Sequence, residues 1–425
     1  MKNTKIPGIL AVAILFSAAF SAAAAEVDFD GGIDLQAFLE AAQSRGPDVP
    51  ARPNPDFDVP VWISVDNGDI EVLGSEFPFA GREAAARTQQ TSVYQVNSSE
   101  LAALSGIMHR KLHKCGGFFT HSSFKSAEKD LSAAPASASR AYTIDQGARI
   151  VPMLKLVDEK AISGTIEKLS AYKNRYYTSQ TGVASAKWLQ DYWRELAAGR
   201  QDISVEAYPH KGWAQESVIL TVRGAFEPQK IVVLGGHLDS ISRGGNNSTA
   251  PGADDNASGI AALTEAIRVI VASGYKPAMT IKFMGYAAEE VGLRGSQDIA
   301  AAFKKQGAEI EGSIQFDMTN FNGSAEDIFL ITDYTNAAQN AFLGGLVSAY
   351  TDYRLGETKC GYACSDHASW TKNGFPASFP FESSFGDDNP FIHTPNDTIS
   401  QSGGHALHAL KFAKLAVAYL VETAK

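Results

Sequence analysis

From about Ile150 onward the chain alternates two hydrophobic periods. Short runs of β-branched, aliphatic and aromatic residues predict strands at Ile203–Tyr208, Ser217–Val222, Ile231–Leu234, Met279–Tyr286, Ser313–Phe316 and Ile328–Ile331. Between them apolar residues recur at helical spacing. Ile166 and Leu169 face inward from Ser163–Tyr172, and Trp188, Leu189, Trp193 and Leu196 share one face of Ala184–Ala198, which Gly199 stops. Ile260, Leu263, Ile267 and Ile270 mark a helix capped by Asn256 or Ser258 and ended by Gly274. A last helix runs from about His405 to Glu422. Strands alternating with helices predict an α/β fold of three layers, α/β/α, around a central mixed, mainly parallel sheet.

The first part of the chain is less regular. Pro47–Pro60 is rich in Pro, Asp and Asn and reads as extended or turn structure, Val61–Ile63 and Ile70–Leu73 as short strands, and Ser98–Leu112 as a helix after a serine cap. Ser126–Arg140 is rich in Ser and Ala and reads as an exposed linker. The start has the form of a targeting segment: Lys2 and Lys5 precede an apolar stretch, Ile9–Phe20, too short to span a bilayer, and Ala23-Ala24-Ala25 offers a cleavage site.

Length and charge narrow the partners. At 425 residues the chain exceeds one ordinary domain, and a formal net charge of −10 argues against a nucleic-acid backbone. Three cysteines are an odd count for an exported protein. Cys360 and Cys364 flank a short loop and suit a local disulfide, with a zinc clip as the alternative; Cys115 is left over.

The chemistry lies where strands end. His237 and Asp239 follow the Ile231 strand, and Asp254 and Asp255 open the next helix. Glu289 and Glu290 follow the Met279 strand, Asp317 follows the Ser313 strand, and His393 comes near the end. Each alone is an ordinary cap, turn or surface residue. Together they matter, because an open α/β sheet gathers its ligands at the carboxyl ends of its strands, and imidazoles with carboxylates suit zinc. No Gly-x-Ser-x-Gly nucleophile turn occurs.

The segments GGHLDS, PGADDNASG, AAEEVGLRGS, QFDMTN and NPFIHTPNDT resemble, in this order, the M28 family of two-zinc aminopeptidases, in particular the secreted bacterial leucyl aminopeptidases. The resemblance runs from about Ile150 to the end. It implies a zinc-peptidase/phosphorylase-like fold divided as signal peptide 1–25, pro-region 26–147 and catalytic domain 148–425. It implies two zinc ions bridged by Asp255, one completed by His237 and Asp317, the other by Glu290 and His393. A water shared by the ions would be the nucleophile, Glu289 the general base, and Asp239 the carboxylate that orients His237. The peptide bond Asp255-Asn256 would be cis, and Asn256 stands where many relatives carry Asp. Tyr362, in the Cys360–Cys364 loop, would stabilise the oxyanion, and Met318, Phe381 and Phe385 would join it in binding a large apolar first residue.

The same resemblance implies peptide substrates with a free amino terminus and a processing protease for the pro-region. The targeting segment implies a protein that is secreted or periplasmic and has no membrane attachment once the signal is cut, and the chain is expected to be a monomer. Three other readings compete: a glutaminyl cyclase on the same scaffold, a carboxypeptidase using Arg243 or Arg294 to hold a terminal carboxylate, and a non-enzymatic binding ectodomain. The complete two-metal ligand set argues against the first and the last.

Overall fold

The computed structural model describes residues 58–132, 140–242 and 245–425. The predicted signal segment, most of the Pro-rich stretch, residues 133–139 of the predicted linker and Arg243 lie outside these.

The first part builds a four-stranded antiparallel sheet. Its elements are β1 (Pro60–Asp66), α1 (Asn67–Leu73), β2 (Ala86–Arg87), β3 (Thr91–Asn97), α2 (Leu101–Leu112), β4 (Phe118–His121) and α3 (Phe124–Asp130), with strand order β2-β3-β1-β4. Val61, Ile63 and Val65 alternate along β1 and share one apolar cluster with Leu101, Leu104 and Met108 of α2.

Three sequence expectations are corrected here. Ile70–Leu73 lies in helix α1, because the Asp66 carboxylate accepts the Gly68 N–H at 2.7 Å and starts a helical turn. The buried residues of α1 include Asp69 and Leu73, four apart, which is a helical period that a four-residue apolar run conceals. The cap ahead of α2 is Asn97, which forms a reciprocal capping box with Glu100. The predicted linker begins inside helix α3, capped by the Ser123 hydroxyl on the Ser126 N–H at 3.2 Å.

The second part is the three-layer α/β/α sandwich. In chain order it runs α4 (Gly147–Leu154), α5 (Glu159–Ser170), α6 (Gln180–Leu196), β5 (Ile203–Tyr208), β6 (Ser217–Val222), β7 (Glu227–His237), α7 (Gly259–Ser273), β8 (Met279–Tyr286), α8 (Arg294–Lys305) and β9 (Glu309–Gln315). There follow β10 (Ile328–Ile331), α9 (Ala337–Tyr350), β11 (Leu355–Thr358), α10 (His367–Lys372), β12 (Ala377–Ser378), β13 (Pro380–Phe381) and α11 (Ala409–Thr423). The central sheet has the order β12-β9-β7-β8-β6-β5; β12, β9, β7 and β8 are parallel, β6 pairs antiparallel with β8, and β5 pairs antiparallel with β6.

Strand alternation sorts the two faces. Val218, Leu220, Val232, Leu234, Ile281 and Phe283 join one apolar core with α4 to α7, α9 and α11, whereas Ile219, Val233, Met284 and Tyr286 join a second with α8 and Trp370 of α10. The predicted strand Ile328–Ile331 exists as β10 but lies outside the central sheet. The place beside β9 is taken by β12, and β10 pairs instead with β11 and β13 in a small sheet of its own. That sheet sets Phe381 opposite Phe329 at the edge of the site.

Candidate metal centre and its cavity

Register puts the site residues together. His237 pairs across to Tyr286 of β8, and Gly235 to Gln315 of β9, so the carboxyl ends of β7, β8 and β9 lie level. The next few residues of each strand therefore emerge on one rim: His237 and Asp239, then Glu289 and Glu290, then Asp317. The loop before α7 adds Asp255, and a late loop adds His393. All seven are buried.

Asp255 sits in the middle. Its Oδ1 is 3.1 Å from Nε2 of His237, and its Oδ2 is 3.1 Å from Nε2 of His393. His237 Nε2 also lies 3.2 Å from Asp317 Oδ1, and His393 Nε2 lies 2.7 Å from Glu290 Oε2. The ligand atoms of His237, Asp255 and Asp317 all fall within 4.8 Å of one another, and so do those of Asp255, Glu290 and His393. The one carboxylate common to both groups offers a different oxygen to each.

Neighbouring groups fix these side chains. The Asp255-Asn256 peptide is cis. Asn256 accepts the Gly259 N–H at 2.9 Å and donates from Nδ2 to the Phe316 carbonyl at 2.9 Å, tying the Asp255 loop to the strand end that carries Asp317. Gly259 is required there, since a Cβ would meet the Phe316 carbonyl oxygen at 2.2 Å. Ser365 donates to Asp317 Oδ2 at 2.6 Å and leaves Oδ1 for the His237 side. The Asp239 carboxylate accepts the backbone N–H groups of Glu289 and Glu290 at 2.9 and 3.1 Å. His237 Nδ1 meets the Asp239 carbonyl at 3.2 Å and its carboxylate at 3.6 Å. Asp239 thus holds the Glu289-Glu290 turn as well as standing beside the imidazole.

Some supports carried no sequence signal. Arg175, fully buried, donates to the carbonyls of Leu238 (2.8 Å) and Gly252 (2.9 Å) and so fixes the loops around His237 and Asp255. The Asp397 carboxylate accepts the N–H groups of Asp254 and Asp255, both at 3.1 Å. Its only hint is its place beside His393 in the same segment. Asp254 itself accepts from Asn320 N at 2.9 Å and Asn389 Nδ2 at 3.2 Å, so its role is to brace the loop.

The electrostatics ask for positive charge. Burial pushes Glu290 up to about 7, helped by Asp255, and pushes Glu289 well above the carboxylate range. Burial alone would depress His237 and His393, but facing carboxylates (Asp317 and Glu289 for the first, Glu290 for the second) hold both imidazoles well above their ordinary range. Two like charges 4 Å apart cost about 4 kcal/mol at an effective dielectric of 20, so this crowd of carboxylates needs cations within it. Both Glu290 oxygens are buried and take no well-formed hydrogen bond, even though His393 Nε2 faces one. The donors are imidazole nitrogens and carboxylate oxygens, which fit zinc.

A cavity of about 350 Å³ opens onto this centre. Carboxylates of Asp255, Glu289, Asp317 and Asp388 line one side, and Met318, Phe379, Phe381, Phe385 and Ile392 form an apolar wall. No Lys or Arg among the described residues lines it. Arg294 lies instead over the Trp213 ring at 4.3 Å. Tyr362 reaches the cavity, and its hydroxyl oxygen accepts the Cys115 N–H at 2.7 Å. The sulfurs of Cys360 and Cys364 stand at disulfide distance, 1.98 Å. His109, His113 and Cys115 also line the cavity, from a segment where the sequence pattern shows no catalytic grouping.

Comparison with known proteins agrees with this geometry. Residues 217–418 match Peptidase family M28. A probable leucine aminopeptidase of Arthroderma benhamiae is 37% identical over 298 residues, covering 69% of this chain and 81% of its own. The crystal structure of Legionella pneumophila LapA aminopeptidase superposes with a TM-score of 0.77 at 30% identity, over 86% of this chain and 99% of that one. LapB from the same organism gives 0.76 at 29% identity, over 86% and 100%. Similarity of this depth across more than two thirds of the sequence places the chain in peptidase family M28, as a metalloaminopeptidase.

Proposed function

We propose that the protein binds two zinc ions and removes single, preferably large apolar, residues from the free amino end of peptides. His237, Asp255 and Asp317 would hold one ion, and Asp255, Glu290 and His393 the other. The observation that carries this reading is the Asp255 carboxylate, whose two oxygens each face a different imidazole at 3.1 Å. When bound, the ions would supply an activated water and polarise the scissile carbonyl.

The remaining steps belong to the chain. Glu289 lines the cavity, and burial keeps its proton affinity high, so it can take a proton from the attacking water and deliver it to the leaving amine. Tyr362 keeps its own O–H proton while accepting from Cys115, and in the open site it would donate that proton to the oxyanion. The apolar wall takes the first side chain; burying a leucine there is worth about 1.5–3 kcal/mol. A cavity lined by four carboxylates, with no Lys or Arg among the described residues to hold a terminal carboxylate, suits a substrate ammonium group. That favours cleavage from the amino end over the carboxypeptidase reading.

The chain would be exported after loss of residues 1–25 and would act as a monomer outside the cytoplasm. A processing protease would then remove the pro-region, residues 26–147. Support for a masking segment comes from its position: β4 binds the loop after Glu290, with Thr120 N–H on the Gly292 carbonyl at 3.0 Å and the Thr120 hydroxyl on the Val291 carbonyl at 2.7 Å. A Cβ at Gly292 (φ +95°) would meet the Thr120 hydroxyl at 2.5 Å, so this contact depends on the glycine.

The test pairs leucyl-p-nitroanilide with its N-acetylated form. Cleavage of the first alone, abolished by a zinc chelator and restored by zinc, supports the reading; equal cleavage of both contradicts it. Amino-terminal sequencing of the exported protein tests the processing, and a sole start near Glu26 would remove the pro-region.

A further inference from the structure

The turn after α2 reaches into the metal centre. Ligand atoms of His109, Cys115 and His393 all lie within 4.8 Å of one another, and His393 also belongs to the Asp255–Glu290–His393 group. The rings of His109 and His393 are 4.4 Å apart. The two clusters therefore share one imidazole, and a thiol and a second imidazole stand on the substrate side of it.

The turn is held in place from several directions. Cys115 N–H donates to the Tyr362 hydroxyl at 2.7 Å, and Gly117 N–H bonds the Cys115 carbonyl at 2.8 Å. Lys114 Nζ binds both oxygens of Asp69 at 2.6 and 2.7 Å and lies 5.1 Å from the centre of the Tyr362 ring. His113 ends α2 in the left-handed region at φ 53°, turning the chain toward the site. Behind the turn, Leu101, Leu104 and Met108 are anchored in an apolar cluster that includes Ala288 and Val291, the neighbours of Glu289 and Glu290. A second observation points to a cation here: the two buried Glu290 oxygens take no well-formed hydrogen bond, and the group facing them is His393 Nε2, itself a candidate ligand, at 2.7 Å.

We propose that Cys115 is a metal-directed latch, its thiolate taking a coordination position on the ion held by Glu290 and His393 while the N-terminal segment is attached, with His109 beside it. Thiolate is a strong zinc donor, and the position it takes is one a substrate amine would need. On coordination the Cys115 S–H bond breaks, its proton passes to solvent and the sulfur–metal bond forms; no oxidant is consumed. The same turn occupies the Tyr362 hydroxyl, so one segment closes both the metal and the oxyanion position. Removing the segment, or drawing Cys115 away, opens both at once. This inference rests on the two-ion reading above.

X-ray absorption at the zinc edge on the intact, zinc-loaded precursor tests it. The expected spectrum contains a sulfur shell at about 2.3 Å. Cys115→Ser should lose that shell and keep two zinc ions per chain. A Cys360→Ser/Cys364→Ser variant should keep the shell, which assigns the sulfur. In the wild-type precursor, zinc should also protect Cys115 from iodoacetamide. Two zinc ions with no sulfur shell, or alkylation at the same rate with and without zinc, would overturn the latch and leave the two-ion reading standing. Absence of bound zinc altogether would overturn both.

Discussion

The two large sheets of this protein put their buried residues to different uses. The six-stranded sheet ends in a rim of charge: His237, Glu289, Glu290 and Asp317 sit at strand ends, with Asp255, Asp397 and Arg175 packed around them, all buried. The four-stranded sheet buries Val61, Ile63 and Val65 against Leu101, Leu104 and Met108. Its contribution to the site is the end of α2 and the turn after it, from which His109, His113 and Cys115 line the cavity. On the proposed reading, chemistry belongs to the first sheet and access to the second. Perturbing the rim should therefore change metal or turnover with the fold kept. Perturbing the apolar sheet should change docking with the metals kept.

The largest effect is expected at Glu289. Glu289→Gln removes the base without changing the side chain's size, and kcat on leucyl-p-nitroanilide in the processed enzyme should fall by about 10²–10⁴-fold. Metal analysis of that variant should still give two ions; a fall below tenfold would take the role from Glu289.

On the other side of the comparison, Leu104→Ala empties a fully buried position in the shared apolar cluster, at a cost of about 2–5 kcal/mol. Limited proteolysis should cut within 58–132 faster than in wild type, while zinc content stays at two. Unchanged proteolysis would show that this cluster does not hold the segment down.

A smaller effect is expected one shell out from the metals. Asp397→Asn replaces a carboxylate that accepts the N–H groups of Asp254 and Asp255. Zinc affinity by chelator competition should fall by about 10–100-fold, with the melting profile of the zinc-loaded protein little altered. An unchanged affinity would show that the Asp255 loop is set without it.

The smallest effect concerns Asp130, which lies between the two regions. Ser64 donates to it at 2.6 Å, His121 Nε2 is 3.5 Å away, and Lys372 of α10 pairs with it. Burial works against its charge, yet His121 and Lys372 hold its carboxyl well below the usual carboxylate range. A depressed folded pKa stabilises docking at every pH above the unfolded value of about 3.9, and that stabilisation is lost as pH falls below it. Docking followed by proteolysis at graded pH should be flat from neutral to about 4 and weaken below that. Asp130→Asn should weaken docking at neutral pH and flatten the acid limb.

The comparison also explains what the sequence could and could not show. Parallel strands covered on both faces must be continuously apolar, so β7 and β8 stood out at once, and the groups just past them were legible as site candidates. In α1 the apolar run Ile70–Leu73 was too short to reveal its period, and Asp66, which starts the helix, reads equally well as a turn residue. β10 was legible as a strand but its sheet was not, because the choice between β10 and β12 as partner of β9 is made by distant packing. Arg175 carried no signal, since its role is to bond carbonyls of loops that follow more than sixty residues later. Cys115 was legible only as a spare thiol: its neighbour Tyr362 lies 247 residues away.

The account turns on Asp255 as the single carboxylate shared by two ions, and metal counting on Asp255→Ala tests that most directly. Wild-type protein should carry two zinc ions per chain, Asp317→Ala should keep one, and Asp255→Ala, though folded, should lose both under the same dialysis. If Asp255→Ala retains two ions, or the wild type holds only one, the bridging arrangement is wrong.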